Sequence, residues 1–273
     1  HKVLNNFKLK KDKSIFIIEG ESFDASRIIN NIMDSDEESS LFFDNLNSKI
    51  NIKIKKTYID EINYINNLNG HIDYVNNKVS NLKLDSEFPN KKRISLSIKT
   101  KNNSETLTRL FSGYPKPLVK RYDFINGFED GYMDFYSSKK EGVSNSVLVI
   151  DNFKVKEVPA FAKILSLASL QGIADLLTGE GIRFTDFEMN FSNQKGLITI
   201  DELYAIGPAV SILMDGYIEN KKLVSLRGTL VPATTINRSI ASIPLLGKIL
   251  IGDKTGEGVF GVSFKIKGPP NNL

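Results

Sequence analysis

The sequence predicts a mainly β protein with a few helices, built as a long antiparallel sheet. Three observations carry that expectation. Apolar and polar residues alternate with a period of two, as in Ile50, Ile52 and Ile54 against Lys49, Asn51, Lys53 and Lys55, so such strands have one apolar and one wet face. The links between strands are mostly short and turn-like, for example Asn193-Gln194-Lys195-Gly196, whereas a parallel sheet needs a crossover helix between most strands. Two apolar helical stretches interrupt the pattern, each followed by Thr-Gly-Glu-Gly (178–181 and 255–258) and then by another β run.

In chain order, residues 2–22 read as two short strands, the second carrying Ile15-Phe16-Ile17-Ile18. Asp24 is placed to cap a short helix whose apolar side is Ile28, Ile29, Ile32 and Met33. The acidic run Asp34 to Glu38 reads as a solvated loop, since it lacks the glycine and distal Glu of a calcium hand. A strand begins at Ser48, and Tyr58 to Leu68 reads as a short helix or irregular connection. Strands follow near 70–76, 79–87 and 93–100. Ser104 is placed to cap a short helix bearing Leu107, Leu110 and Phe111, ended by Gly113 and Pro115. Further strands fit 127–136 and 145–156.

A soft boundary near 157 separates a repeated-strand segment, 1–157, from a C-terminal region, 158–273. The second opens on an apolar helix between Pro159 and Gly179 whose few polar residues scatter around the wheel, as befits a buried or capping helix. Its apolar members are Phe161, Ile164, Leu165, Leu167, Ala168, Leu170, Ile173, Leu176 and Leu177; Lys163, Gln171 and Asp175 argue against a membrane span. A four-strand meander follows at 182–192, 197–206, 209–218 and 223–231. A second helical segment, Thr234 to Ile251, is interrupted at Pro244 and Gly247, and the last strand runs from Gly258 to Lys267.

Composition narrows the function classes. With 41% hydrophobic and 25% charged residues the chain is globular, and a net charge of +4 supplies no dense basic stripe for nucleic acid. There is no cysteine, so no disulfide framework and no thiolate metal site. The two histidines, His1 and His71, accompany no nucleophile-elbow motif. The Gly-Glu-Gly runs follow helices, whereas a phosphate cradle precedes one. No catalytic residue, metal or cofactor is expected, and the chain reads as a non-enzyme. It opens on His1 and not Met, which reads as a piece of a longer protein.

One resemblance is specific. Ile-Asp-Asn-Phe-Lys-Val (150–155), Val-Pro-Ala-Phe-Ala-Lys-Ile-Leu-Ser-Leu-Ala-Ser-Leu-Gln-Gly (158–172) and Leu-Leu-Thr-Gly-Glu-Gly-Ile-Arg-Phe (176–184) stand in order. Leu-Arg-Gly-Thr-Leu-Val-Pro-Ala (226–233), Ile-Pro-Leu-Leu-Gly-Lys-Ile-Leu (243–250) and Gly-Glu-Gly-Val-Phe-Gly-Val (256–262) follow. Together, Asp151 to Pro269 resembles the C-terminal region of the AsmA-like family, particularly its large YhdP-type members.

The resemblance implies a long curved antiparallel β groove lined with apolar side chains and capped by the two apolar helices. It further implies a periplasmic, inner-membrane-anchored bridge that carries phospholipid toward the outer membrane, with acyl chains and membrane or envelope proteins as partners. The groove lining expected in the best-matched part is Phe187, Met189, Phe191, Ile198, Ile200, Val210, Ile212, Met214, Val224, Leu226, Phe260, Val262 and Phe264. Two other classes remain open from the residues alone. One is a scaffold that modulates outer-membrane protein assembly without carrying lipid; the other is a closed lipid-binding pocket.

Overall fold

The computed structural model describes residues 5–27, 29, 47–76, 78–101, 104–119, 127–156, 179–219, 222–232 and 261–269. Within them lie fourteen strands: β1 (Asn6–Asp12), β2 (Ile15–Asp24), β3 (Ser48–Tyr58), β4 (Tyr64–Val75), β5 (Lys78–Glu87), β6 (Arg93–Lys101), β7 (Glu105–Ser112), β8 (Glu129–Lys140), β9 (Val143–Val155), β10 (Ile182–Gln194), β11 (Leu197–Ile206), β12 (Val210–Glu219), β13 (Leu223–Pro232) and β14 (Val262–Gly268). A single helical turn, α1 (Lys116–Val119), precedes β8. The strands form one open sheet whose hydrogen-bonded order follows the chain, with β1 and β14 as its edges.

Turn chemistry explains much of this order. Glu141 and Gly142 (φ 52° and 79°) and Lys195 and Gly196 (φ 49° and 81°) both put two successive residues in the left-handed region. That is the type I′ pattern whose twist matches a two-residue hairpin. At 59–63 the Asp60 carboxylate accepts from the backbone N–H of Ile62 (2.8 Å) and Asn63 (2.6 Å). This Asx turn reverses the chain, so the expected helix or irregular link over Tyr58 to Leu68 is a tight turn followed by β4.

The structure corrects two further expectations. Residues 105–112 form β7 and not a helix capped by Ser104. The spacing of Leu107, Leu110 and Phe111 fits a helix, but eight residues make a marginal one alone. As a strand, β7 is hydrogen-bonded to β6 and to β8, with Leu110 opposite both Leu96 and Phe135. The pairing is also not wholly antiparallel, because β2 and β3 run parallel, Phe16 beside Ile50 and Ile18 beside Ile52. A parallel pair needs a long crossover, and the link between Asp24 and Ser48 supplies it. The helix opening that link is as expected at its start: Ser26 N–H donates to the Asp24 carboxylate (3.0 Å), and Ile29 N–H donates to the Ala25 carbonyl (2.9 Å). Ile28, Ile32, Met33 and the acidic run 34–38 lie outside the described residues. So do residue 157, residues 159–178 of the first expected helix, the helix expected at 234–251, and Phe260.

The chain divides into two compact units, 1–114 with 133–144, and 115–132 with 145–273. In the first unit, alternation carries Ile50, Ile72, Tyr74 and Leu82 to one face, where Phe16, Ile18, Ile52, Leu84, Leu96 and Ile98 pack on them. At one end Ile59, Ile65 and Phe88 form a second cluster, with Tyr114 edge-on to Phe88 at 5.4 Å. The opposite face carries cross-strand ion pairs, Lys10–Glu19 (3.2 Å), Lys49–Asp73 (3.8 Å) and Arg109–Asp134 (3.0 Å). Solvent screens such pairs, and each contributes little to stability. In the second unit Phe128, Phe153 and Phe184 stack with centroids 5.3 and 5.4 Å apart, and Val210 and Leu230 are fully buried.

Hydrogen bonds from Ser26 hold the Asp24 carboxyl below its usual pKa, the largest cause being the Ser26 side chain. A carboxyl with a depressed folded value stabilises the fold above its unfolded pKa and loses that contribution as pH falls through the folded value. Asp24→Asn keeps a capping side chain but cannot titrate. The urea midpoint of the variant should therefore fall less than wild type between about pH 5 and pH 2.

Candidate functional site

The register of β10 to β14 decides which side chains share a face. Phe187 stands opposite Ala205, Met189 opposite Leu203, and Phe191 opposite Ile200. On β12, Ile212 faces Ala205, Met214 faces Leu203, and Ile218 faces Ile198. On β13, Pro232, Leu230, Gly228, Leu226 and Val224 stand opposite Val210, Ile212, Met214, Gly216 and Ile218. On β14, Val262, Phe264 and Ile266 stand opposite Leu230, Gly228 and Leu226. Every described member of the expected lining therefore lies on one side of this part of the sheet. Ile200, Val210 and Val224 are buried, while Phe187, Met189, Phe191, Ile198, Ile212, Met214, Leu226, Val262 and Phe264 are half-buried.

Alternation alone misses two members of this face. Between Asn190 and Phe191 the partner residue jumps from Glu202 to Ile200, leaving Asp201 as an extra residue on β11. Such a bulge resets the parity of its strand. Leu203 and Ala205, both buried, thus join Ile198 and Ile200, although a strict period of two would place them on opposite sides. Ile218, Leu230 and Ile266 also belong to the face and were legible as in-phase apolar residues. No sequence signal marks the bulge except the paired acids Asp201-Glu202.

Glycines let side chains meet across this face. A Cβ on Gly228 would lie 2.6 Å from Met214 Cγ and 2.8 Å from Phe264 Cζ, and would also crowd the Leu213 carbonyl. Met214 and Phe264 thus both lean over Gly228 from neighbouring strands. Phe187 continues the apolar surface into the aromatic stack, edge-on to Phe153 at 6.1 Å.

The other face of β10 to β13 is polar along much of its length, although Ser211 and Val231, which stand opposite each other on it, are buried. The Tyr204 hydroxyl donates to Glu188 (2.8 Å), Asn190 donates to the same side chain (2.9 Å), and Arg227 Nε donates to Asp215 (2.7 Å). Burial pushes the Tyr204 phenol up, and its hydrogen bond to Glu188 adds to the shift. Such an arrangement orders the surface and offers no base beside a nucleophile. Among the described residues no group of three or more His, Cys, Asp or Glu is arranged to hold a metal, and no helix is long and apolar enough to cross a membrane. What the apolar face can do is shield hydrocarbon.

Gly228→Ala should overpack the Met214–Phe264 contact and press on backbone, at a cost of roughly 1–3 kcal/mol. The measurement is a urea midpoint against wild type; an unchanged midpoint would show that the two side chains do not meet over Gly228. Comparison of the chain with protein-family models, with curated proteins and with solved structures returns no match.

Proposed function

We propose that this chain is a non-enzymatic segment of a lipid conduit, with phospholipid acyl chains resting on the apolar face of β10 to β14. The observation that carries the reading is the in-register apolar surface, continuous over five strands and half-open along much of its area. Those strands span roughly 19 Å across the sheet at about 4.8 Å per step. Each CH₂ moved from water onto such a surface and shielded there is stabilised by up to about 0.8 kcal/mol. A chain sliding across strands exchanges one apolar contact for an equivalent one, so no reaction is needed for movement. In this reading the face is the floor of a groove, with the helices expected at 159–179 and 234–251 capping it.

The resemblance to the AsmA-like family supplies the setting: a periplasmic segment, anchored to the inner membrane by a part of the protein absent from this chain, serving phospholipid transport to the outer membrane. The alternative, a scaffold modulating outer-membrane protein assembly, requires no lipid on this face. A photocrosslinking residue at Ile212 or Val262, tested in cells, separates the two. Lipid adducts at both sites, well above those at the exposed Lys265 on the opposite face, are expected. Adducts no higher than at Lys265 would sink the conduit reading and favour the scaffold.

A further inference from the structure

On the polar face of the first unit the registers align side chains in rows across β2, β3 and β4. Ile17, Asn51 and His71 stand side by side, and Glu19, Lys53 and Asn69 form the next row. Lys49 and Asp73 stand opposite each other in the row before. The first two rows and Lys49 line an open groove of about 450 Å³. Asn51 lies at its middle, a short side chain between two lysines on its own strand, each about 7 Å along. The volume falls in the range of small-molecule sites, roughly 300–1,000 Å³. Inorganic phosphate, the size of a few waters at about 30 Å³ each, would leave most of it empty.

A second observation is the state of the donors in this lining. Lys49 leans to Asp73 at 3.8 Å, and Glu19 is paired with Lys10 at 3.2 Å. Lys53 makes no ion pair, and the Asn51 and Asn69 amides make no side-chain hydrogen bond, among the described residues. Asn81, opposite Asp73 on β5, donates to Asp73 Oδ2 (3.2 Å) and to His71 Nε2 (2.9 Å). An amide nitrogen only donates, so Nε2 accepts and the ring proton sits on Nδ1. His71 is thus oriented by its neighbour and keeps an N–H to give. One ammonium, one imidazole N–H and two amides therefore stand around the groove, against the single lining carboxylate of Glu19. Lys83, opposite His71 on β5, adds a second positive charge beside it.

We propose that this groove binds a phosphate monoester of a sugar, with the phosphate over Asn51 and the sugar ring beside Asn69 and Glu19. Lys53 supplies the charge, acting on phosphate as a point cation, while His71 Nδ1–H and the Asn51 amide donate to the phosphate oxygens. Sugar hydroxyls donate and accept at once, which suits the mixed pair of the Asn69 amide and the Glu19 carboxylate. The site lies on the face opposite the core cluster, so it stands or falls apart from the lipid reading.

Calorimetric titration of the full chain with glucose 1-phosphate, glucose and inorganic phosphate tests this. The ester should bind about tenfold or more tightly than glucose, the scale of one charge-assisted contact, and more tightly than inorganic phosphate. Lys53→Gln should bring the ester-to-glucose ratio near one, while Lys53→Arg keeps it. Asn51→Asp, which sets a carboxylate where the phosphate rests, should abolish ester binding. Lys101→Gln, the same charge loss on the exposed end of β6, should leave the ratio unchanged. A ratio that survives both Lys53→Gln and Asn51→Asp overturns the site, as does an equal loss in Lys101→Gln. Inorganic phosphate binding as tightly as the ester overturns the sugar half of the assignment. Phosphatidylglycerol vesicles, whose phosphate is a diester, should not compete, and competition at equal phosphate would overturn the monoester in favour of a lipid surface. Binding of none of the three compounds overturns the site outright.

Discussion

The constraint on which everything else depends is side-chain parity kept in register from strand to strand. A strand turns alternate residues to opposite sides, and one slip of register would move its whole apolar set into water. Here the slips that do occur are compensated. The bulge at Asp201 shifts β11 by one residue, and the apolar set on each side of it still lands on the same face. The outcome is that the expected lining of β10 to β14 gathers on one side, while ion pairs such as Arg227–Asp215 stand on the other.

The two sides are held by different forces. On the apolar side, burial of residues such as Ile54, Leu82, Val210 and Leu230 supplies the stabilisation, at up to a few kcal/mol each. On the ionic side, pairs such as Lys10–Glu19 and Arg227–Asp215 contribute little individually. They keep that side soluble and discourage it from becoming a second core. The two sheet edges differ as well. β1 is exposed throughout and carries Lys8, Lys10 and Lys11, a charge density that discourages pairing with another chain.

Much of this was legible in the residues. The meander from β10 to β13 lies within a few residues of its expected bounds, because its turns carry Lys-Gly and Gly-Pro signals and its strands alternate cleanly. The expected lining falls on a single face for the same reason. Where the reading failed, a local pattern was ambiguous. Leu107, Leu110 and Phe111 have helical spacing, but two neighbouring strands with open ladders captured them as β7. The parallel β2–β3 pair was hidden because pairing direction depends on where a crossover lands, and alternation is identical in both cases. Leu203 and Ala205 were missed because a bulge is a property of two strands together.

By itself the sequence determined that this protein is built of strands with one apolar face, where most of them turn, and that it carries no thiol chemistry. Those features are local: they follow from alternation, turn residues and composition, each read within a few positions. Tertiary structure alone decided which apolar residues meet, since that depends on register across strands up to dozens of residues apart. It also decided that Met214 and Phe264 share the space over Gly228, and that the Lys56 ammonium lies over the rings of Tyr58 and Tyr64. Both arrangements arise from pairing between strands, and pairing is where a linear reading ends.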